Sequence, residues 1–386
     1  MKKRKILVVT GTRAEYGLMR WIIQYLHDDP DIEFQLVVTG MHLSSEFGLT
    51  YKNILDDKFI INKKVEMLLS SDTPIGLSKS MGLSMISFGE VYEELKPDIT
   101  LVLGDRFEIF AAVAAAMVSR IPVAHIHGGE ATEGLIDEPI RHSITKMSHI
   151  HFTATEEYKN RVIQLGEQPA RVFNTGTPGL DNISNLKLLD LKSFEESINF
   201  VIGDNCVLVT FHPVTLEDGT SAYQFDELLS ALDSFKQFKI IFTLPNADTD
   251  GRVVIEKIHR YTSLNSERAI SFTSLGQLRY LSALQHVKMV IGNSSSGLTE
   301  VPSFRIPTIN IGDRQKGRIR AESVIDCVPS TEKITEAINK GLSDEFQTKL
   351  NSVENPYGSD GASRRIVDLL KTIDLEGILK KDFYNL

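Results

Sequence analysis

The sequence has little of what secreted, membrane-spanning or nucleic-acid-binding proteins require. Only two of its 386 residues are cysteines, Cys206 and Cys327, which favours reduced thiols in buried strands over a disulfide framework. The longest apolar run, residues 109–118, has ten residues and is too short to span a membrane. Positive charge is also scarce: the net charge is −9, whereas nucleic-acid binding needs a basic surface. Cysteine and histidine show no metal-ligand spacing, so no metal site is expected.

The basic N-terminus does not predict a signal peptide. Residues 2–5 are all basic, but the apolar stretch after them, residues 6–9, is short and leads directly into Thr10 and Gly11. We therefore expect a cytoplasmic protein that does not associate with membranes.

Short β-rich runs alternate with amphipathic stretches along the whole chain. Continuous apolar strands separated by helices are typical of parallel sheets covered on both faces. The sequence predicts strands at residues 6–9, 34–39, 99–103, 123–127, 150–154 and 172–175, and then at 207–212, 239–244, 270–273, 288–291, 308–311 and 323–327. It predicts helices at residues 14–27, 77–95, 107–117, 224–234, 253–261, 276–284, 332–340 and 362–372.

These two sets predict an α/β protein with two doubly wound, Rossmann-like domains, at residues 1–176 and 177–361. The boundary falls in a stretch rich in Gly, Pro and Asn, residues 176–185. Because ligands of open α/β sheets bind beyond the carboxyl ends of the strands, we expect the site in a cleft between two facing domains.

The run from Gly292 to Val301 is the most informative motif. It follows an apolar strand, is rich in Gly and Ser, and a helix is predicted to begin inside it. A helix N-terminus attracts anions, and the hydroxyls of Ser294 and Ser295 would donate to phosphate oxygens. The carboxylate of Glu300 is better suited to a sugar hydroxyl. The run therefore predicts a nucleotide-sugar binding site.

Two strand ends in the first half carry candidate charges. Arg13 follows the Gly11 turn at the start of a helix, where its planar guanidinium would grip a diphosphate. An exposed, solvated Arg13 is the alternative. Asp105 and Arg106 follow the strand at 99–103, and the alternative there is a helix-capping Asp105 beside a solvated Arg106.

A dense group of acids and bases follows the strand at 123–127. Its candidate members are His127, Glu130, Asp137 and Glu138. Such density lets neighbouring groups tune each other's pKa, which acid–base chemistry requires. The alternative is that Glu138, Arg141 and His142 are simply the polar side of a helix. We interpret His125, deeper in the strand, as a packed side chain.

Three further candidates follow strands of the second half. His212 lies at the rim of the strand at 207–212, where Pro213 cannot continue the ladder. Asn246 offers an amide to a base or a ribose. Arg314 belongs to a basic loop, residues 312–318, that would clamp a diphosphate; a solvated charged loop is the alternative.

Nine motifs, taken in order, resemble the hydrolysing UDP-N-acetylglucosamine 2-epimerases of sialic acid biosynthesis, and they span nearly the whole chain. They are GTRAEYG (11–17), VTGMHL (38–43), LGDRFEIF (103–110), HIHGGE (125–130), IDEPIRHSITK (136–146), FHPVT (211–215), PNADTDG (245–251), IGNSSSGLTEV (291–301) and INIGDRQKGR (309–318). The resemblance implies a B-type glycosyltransferase fold with UDP held mainly by the C-terminal domain. It also implies that the C-terminal segment, residues 362–386, returns to the first domain.

The resemblance also assigns candidate roles to individual residues. Acid–base positions fall on Asp105, Asp137 and Glu138, with Arg106 near the substrate. Nucleotide-sugar contacts fall on Arg13, His212, Asn246, Ser294, Ser295, Glu300 and Arg314, and His212 is also a candidate catalytic residue. Many relatives have a catalytic glutamate where this chain has His127, and the nearest carboxylate here is Glu130. Both residues stay candidates for that step.

The implied reaction converts UDP-N-acetylglucosamine and water to N-acetylmannosamine and UDP through a 2-acetamidoglucal. It needs no redox cofactor or metal, and relatives suggest a homo-oligomer, a dimer or tetramer. The main alternative is the same chemistry on UDP-2,4-diacetamido-2,4,6-trideoxyglucose, as in legionaminic acid synthesis. A non-hydrolysing epimerase and a true glycosyltransferase are further alternatives. A non-catalytic sugar-nucleotide sensor would have no use for the acidic group.

Overall fold

The structure, a computed structural model, describes residues 3–69, 73–131, 137–213, 220–245 and 251–386. The chain forms two compact units. The first consists of Met1–Asn182 and Tyr357–Leu386, and the second of Ile183–Pro356. The two domains expected from the sequence, with their boundaries at residues 176 and 361, stay a prediction, because compactness alone does not show which parts fold independently.

A parallel sheet of seven strands forms the centre of the first unit. The strands are β1 (Arg4–Thr10), β2 (Ile32–Thr39), β3 (Lys63–Val65), β4 (Ile99–Leu103), β5 (Val123–Ile126), β6 (Ile150–Thr153) and β7 (Val172–Asn174). Their order in the sheet is β3-β2-β1-β4-β5-β6-β7. The direction in which strands are added therefore reverses between β1 and β4, which makes that pair the topological switch point.

The second unit repeats this plan with six strands. They are β8 (Cys206–Thr210), β9 (Lys239–Thr243), β10 (Ala269–Phe272), β11 (Met289–Gly292), β12 (Thr308–Ile311) and β13 (Val324–Cys327). They run parallel in the order β10-β9-β8-β11-β12-β13. The switch point of this sheet lies between β8 and β11.

Helices cover both faces of each sheet. Those before the second sheet are α1 (Arg13–Asp28), α2 (Tyr51–Asp56), α3 (Pro74–Leu95), α4 (Phe107–Val118), α5 (Asp137–Met147), α6 (Glu156–Gln164), α7 (Asp181–Asn185) and α8 (Leu191–Ile198). Those that follow are α9 (Ser221–Asp233), α10 (Gly251–Leu264), α11 (Gly276–Leu284), α12 (Ser296–Thr299), α13 (Thr331–Leu342), α14 (Asp344–Leu350) and α15 (Ala362–Thr372). The predicted fold class of two doubly wound α/β sheets is confirmed. None of the described helices combines the length and apolar character needed to cross a bilayer.

Local sequence explains where several helices begin and end. Thr12, Thr155 and Ser330 each precede a helix and accept a hydrogen bond from a backbone N–H of its first turn. Lys96 and Asn199 end α3 and α8 in the left-handed conformation. The eight helices whose bounds were predicted from the sequence are confirmed to within a few residues, whereas α2, α6, α7, α8 and α14 were not predicted.

The C-terminal segment belongs to the first unit. Gly361, at the N-cap of α15, has no side chain to cap the helix, and the buried Asp181 carboxylate accepts hydrogen bonds from the N–H groups of Ala362 (3.2 Å) and Ser363 (2.6 Å) instead. Ile366 and Leu370 of α15 are fully buried in the same core cluster as the residues of α1. The segment is therefore part of the hydrophobic core of this unit.

Two local expectations differ from the structure. Strand β3 was not predicted, because its three residues, Lys63–Val65, are mostly polar and give no apolar run. The helix predicted inside the serine run is a single turn, Ser296–Thr299, followed by a 3₁₀ turn from Val301 to Phe304. A single turn aligns few peptide dipoles, so the attraction of anions that was expected from a helix N-terminus is much reduced.

Candidate functional site

The carboxyl ends of β4 and β5 bring the acid–base candidates of the first unit to one place. Arg141, on α5, is only 1% exposed. Its guanidinium pairs with the Asp105 carboxylate, donates to Glu138 Oε2 at 2.8 Å and donates to the Glu130 carbonyl at 2.9 Å. A buried guanidinium needs partners for its charge and its donors, and these three groups supply them. Arg141 therefore joins α5 to the loops that follow β4 and β5.

This arrangement corrects two interpretations of the sequence. Arg141 does not lie on a solvated face of α5, because it is buried against the strand ends. Asp105 is not the cap of α4, because Arg106 occupies the N-cap position. Arg106 is not merely solvated either, since its Nε donates to the buried Glu108 Oε1 at 2.7 Å.

Asp137 and His142 complete the group on α5. Burial and the nearby charge of Asp105 raise the pKa of the Asp137 carboxyl above its usual range, while Arg106 and Arg141 oppose the shift. His142 Nε2 lies 3.1 Å from Glu138 Oε1. Asp137, whose raised pKa means that it holds its proton more tightly, thus lies near two carboxylates that pair with Arg141. Such a difference between neighbouring carboxyl groups is suitable for acid–base chemistry.

His127 and Glu130 follow β5 and lie close to each other. His127 Nδ1 is 3.6 Å from Glu130 Oε1, and its Nε2 is 3.0 Å from the Thr177 hydroxyl. The backbone of His127 has a φ of 67°, in the left-handed region. Gly129 follows with a φ of 80°, and a Cβ there would lie 2.3 Å from the Tyr158 carbonyl oxygen. The tight turn at residues 127–129 brings the side chain of Glu130 close to that of His127.

His125 is confirmed as a packed side chain. It is fully buried, its Nε2 lies 2.8 Å from the Gly104 carbonyl oxygen and its Nδ1 lies 3.2 Å from the Thr145 hydroxyl. Burial lowers the pKa of His125 to about 3, so the ring is neutral. It links β4 to α5 rather than taking part in proton transfer.

The end of β1 contributes one predicted and one unpredicted residue. Arg13 is exposed at the first position of α1. Glu15, two residues later, is 5% exposed and its Oε2 accepts from the Gly11 N–H at 2.7 Å. Glu15 and the buried Glu108 were not assigned from the sequence; the available signals were Thr12-x-x-Glu15, which is typical of a capping box, and the first-turn position of Glu108.

In the second unit, Asn293 connects the ends of β8 and β11. Its Oδ1 accepts from the His212 N–H at 2.7 Å, and its Nδ2 donates to the His212 carbonyl at 2.8 Å. The Asn293 carbonyl in turn accepts from Arg314 Nη1 (3.1 Å) and Gln315 Nε2 (2.9 Å). Asn293 thus holds together the loops after β8, β11 and β12, and it was missed because its role depends on contacts across the sheet.

His212 is neutral in this environment. Burial, with a smaller contribution from the positive charge of Arg314, lowers its pKa to about 4. Gly292, at the end of β11, approaches the neighbouring strand so closely that a Cβ there would lie 1.9 Å from the Thr210 carbonyl oxygen. Only glycine fits at this position, which explains the glycine that opens the serine run.

The serine run presents hydroxyls at Ser294, Ser295 and Ser296 and a carboxylate at Glu300. Ser294 and Ser295 are half-buried, and the Ser296 hydroxyl accepts from the Tyr280 hydroxyl at 2.7 Å. The Glu300 carboxylate accepts from the Thr299 hydroxyl. Asn246, the remaining predicted contact, lies outside the described residues. The roles assigned to these residues by resemblance stay predictions.

Comparison with known proteins places the chain in a family. The family model for UDP-N-acetylglucosamine 2-epimerase matches residues 24–371, and the chain belongs to this family. The resemblance predicted from the nine motifs is thereby confirmed.

Three relatives align along nearly the full length. The chain is 42% identical to a GDP/UDP-N,N'-diacetylbacillosamine 2-epimerase (hydrolyzing) of Campylobacter jejuni, with 100% of both chains covered. It is 42% identical to the polysialic acid biosynthesis protein P7 of Escherichia coli, with 99% and 98% covered. It is 38% identical to a UDP-N,N'-diacetylbacillosamine 2-epimerase (hydrolyzing) of Legionella pneumophila, with 98% of both covered.

Solved structures share the fold at lower identity. A UDP-GlcNAc 2-epimerase from Neisseria meningitidis, crystallised with UDP-GlcNAc, has a TM-score of 0.82 and 23% identity, with 95% of this chain and 99% of that chain covered. A Methanocaldococcus jannaschii UDP-GlcNAc 2-epimerase in complex with UDP-GlcNAc and UDP has a TM-score of 0.74 and 19% identity, with 95% and 99% covered. These similarities establish the two-domain α/β fold.

Proposed function

We propose that this chain is a hydrolysing 2-epimerase of UDP-activated 2-acetamido sugars, which releases UDP and the free 2-epimeric sugar. The observation that carries the proposal is the group at the ends of β4 and β5, where the buried Arg141 pairs with Asp105 and Glu138 close to Asp137. Family membership and the two relatives named as hydrolysing 2-epimerases support it.

The first half of the proposed reaction is an elimination. A carboxylate removes the proton at C2, the bond between C1 and the diphosphate oxygen breaks, and the electrons of the C2–H bond form the C1=C2 double bond. Asp105 and Glu138 are the proposed bases, because both carboxylates pair with the Arg141 guanidinium at the ends of β4 and β5. The products of this half are UDP and a 2-acetamidoglucal.

The second half adds water to the glycal. A proton adds to C2 on the face opposite to the one it left, the water oxygen bonds to C1, and the proton that the water loses passes to a carboxylate of the group. This gives the free sugar with inverted C2. Asp137 is the proposed acid, because its raised pKa favours the protonated form. His127 and Glu130 form a second candidate pair for this proton, since they lie 3.6 Å apart.

We assign the diphosphate and nucleoside to the end of β8, β11 and β12. Arg314 supplies the positive charge, and Ser294 and Ser295 supply hydroxyl donors for phosphate oxygens. The neutral His212 would donate a hydrogen bond to the leaving group without competing for its protons. Glu300 is the proposed partner of the ribose hydroxyls, and Arg13 in the first unit is a further proposed phosphate contact.

The substrate we propose first is a UDP-2,4-diacetamido-2,4,6-trideoxy sugar, UDP-N,N'-diacetylbacillosamine. Two of the three relatives compared above act on this sugar according to their names. UDP-N-acetylglucosamine is the second candidate, because the family model that matches residues 24–371 is described as UDP-N-acetylglucosamine 2-epimerase. The chemistry at C1 and C2 is the same for both sugars, so the site described above does not discriminate between them.

An NMR time course with each UDP-sugar tests the function. With the diacetamido sugar we expect free UDP and an equal amount of the free 2-epimeric sugar, and slower turnover of UDP-N-acetylglucosamine. The GDP-linked diacetamido sugar is included as a third sample. Its rate of turnover shows whether the protein distinguishes guanine from uracil in the nucleotide. A UDP-linked epimer formed without free UDP would indicate a non-hydrolysing epimerase. Release of UDP only after an acceptor is added would indicate a glycosyltransferase.

We also propose that the protein is a homo-oligomer that uses α3. Ile75 and Ile86 on this helix are 69% and 68% exposed. They lie about three turns apart, and therefore on one face. Large exposed apolar side chains on one helix face favour association.

Light scattering tests this proposal. We expect Ile86→Asp to lower the measured molar mass, and Leu264→Asp, at an equally exposed apolar position of the second unit, to leave it unchanged. Equal masses for both variants would contradict the use of α3.

A further inference from the structure

Two glutamates lie buried at the switch point of the first sheet, outside the acid–base group already described. Glu108 is fully buried and Glu15 is 5% exposed. Both reach the loop after β1: Glu15 Oε2 accepts from the Gly11 N–H, and a Cβ at Gly11 would lie 2.6 Å from Glu108 Cγ. A Cβ at Gly40, after β2, would lie 3.2 Å from Glu108 Oε1. The two glycines thus leave the space that the Glu108 carboxyl fills.

The hydrogen bonding of the two carboxyls is incomplete. Glu15 Oε1 and Glu108 Oε2 are buried and have no hydrogen-bond partner within the described part of the chain. Each carboxyl has one satisfied oxygen, through the Gly11 N–H and Arg106 Nε respectively. Two ionised carboxylates in such a place would repel each other, and a single guanidinium would not neutralise both. A proton held by the pair removes one charge and provides the missing donor.

We infer that Glu15 and Glu108 share one proton, and that Glu108 is a positioning residue that holds the Arg106 guanidinium for the substrate. This inference rests on the proposed function for its second part only. Arg106 is tied to Glu108 through Nε, and its Nη2 lies 3.6 Å from Met41 Sδ. The side chain is 38% exposed, so the guanidinium keeps donors that reach solvent.

The charges around the pair support a shared proton. Burial and the charge of Glu108 raise the pKa of Glu15 to about 8, with Asp105 adding to the shift and Arg106 and the Gly11 N–H opposing it. The backbone N–H of His42 donates to the Gly11 carbonyl. Burial lowers the pKa of the His42 ring to about 4, so the ring is neutral. Arg106 supplies positive charge to this pair.

The position of Arg106 also affects the proposed acid. The positive charges of Arg106 and Arg141 lower the pKa of Asp137, whereas burial, Asp105 and Glu108 raise it. If Glu108 lost its charge, Arg106 would be free to pair with Asp137, and Asp137 would hold its proton less tightly. Glu108 thus acts through Arg106 rather than by contact with the reacting atoms.

The shared proton is tested on the protein without substrate. The urea midpoint is measured from pH 5 to 9 for the wild type, Glu15→Gln and, as a control, Glu332→Gln, which changes an exposed first-turn glutamate of α13. A folded-state pKa above the unfolded value makes the wild type lose stability as pH rises to about 8. Glu15→Gln cannot lose this proton, so we expect its urea midpoint to rise relative to that of the wild type up to about pH 8 and then to stay at a constant difference. A pH-independent difference, as expected of the control, would overturn the shared proton.

The positioning role is tested by a double-mutant cycle on turnover. We expect Glu108→Gln to lower kcat/KM about tenfold and to move the acid limb of the pH–rate profile, while UDP binding confirms that the protein is folded. In an Arg106→Met background, the same change should cost less than about twofold, because the residue it acts through is gone. Additive losses would overturn the role. A wild type inactive with both sugars would overturn it together with the proposed reaction, whereas the urea series would still decide the shared proton.

Discussion

The two switch points occupy the same place in their sheets but carry different chemistry. At β1 and β4, the first unit gathers carboxyls and guanidinium groups, several of them buried and with shifted pKa values, such as Glu15 and Asp137. At β8 and β11, the second unit gathers neutral groups, such as the Asn293 amide, the neutral His212 and serine hydroxyls. Arg314 contacts this second group through the Asn293 carbonyl, and Glu300 lies at the end of its serine run.

The difference shows how one fold supports two tasks. Titratable groups with separated pKa values suit proton transfer, whereas fixed neutral donors and acceptors suit the recognition of a nucleotide without exchange of protons. The doubly wound topology supplies the location in both units, and the side chains at the strand ends supply the function.

Substitution of the proposed catalytic carboxylates of the first unit should have the largest effect, on turnover and not on UDP binding. We expect Asp105→Asn and Asp137→Asn each to lower kcat about a thousandfold, because each removes a proposed proton acceptor or donor. UDP affinity should change little, because the proposed UDP contacts lie mostly in the second unit. Steady-state kinetics and calorimetric titration with UDP measure the two effects. Asp226→Asn, at an exposed position of α9, is the matched control, and full activity in both site variants would reject the assignment.

Gly292→Ala should damage the second switch point instead. The new Cβ would lie 1.9 Å from the Thr210 carbonyl oxygen, so β8 and β11 would have to move apart. We expect a loss of about 3 kcal/mol in the free energy of unfolding and weaker UDP binding. Gly203→Ala is the control, because Gly203 also has a positive φ, of 59°, but a Cβ there has nothing within 4 Å. Equal losses from the two changes would show that backbone strain, and not the contact between strands, decides.

His212 should give the second unit a pH-dependent stability, and this effect is the smallest of the three. His212 has a folded-state pKa of about 4, below the ordinary value of 6.5, so the unfolded chain binds more protons between these values. The protein should therefore lose stability as pH falls from 6.5 to 4, by at most about 3 kcal/mol from this residue. His212→Gln should remove that part of the loss in denaturant titrations, with exposed His259→Gln as control. An identical pH dependence in wild type and His212→Gln would contradict a neutral, buried His212.

The sequence was informative about strand ends and much less about the contacts between them. Gly292 and Asp105 could be placed because apolar runs mark where β11 and β4 end. The burial of Arg141 could not be predicted, because an arginine at helical spacing from Glu138 is normally solvated, and only the approach of β4 and β5 gives it partners. Asn293 was missed for the same reason: its amide spans two strands that are adjacent in the sheet but distant in the chain.

The most direct test of the account is the reaction carried out in deuterated water. If carboxylates of the first unit remove and return the proton at C2, the released sugar must carry one solvent deuterium at that carbon, visible by NMR as the loss of the C2 proton signal in every product molecule. We predict this result with the diacetamido UDP-sugar, and with UDP-N-acetylglucosamine where it is turned over. A product that forms with free UDP but keeps its original C2 proton would contradict the elimination, and with it the role assigned to Asp105, Asp137 and Glu138.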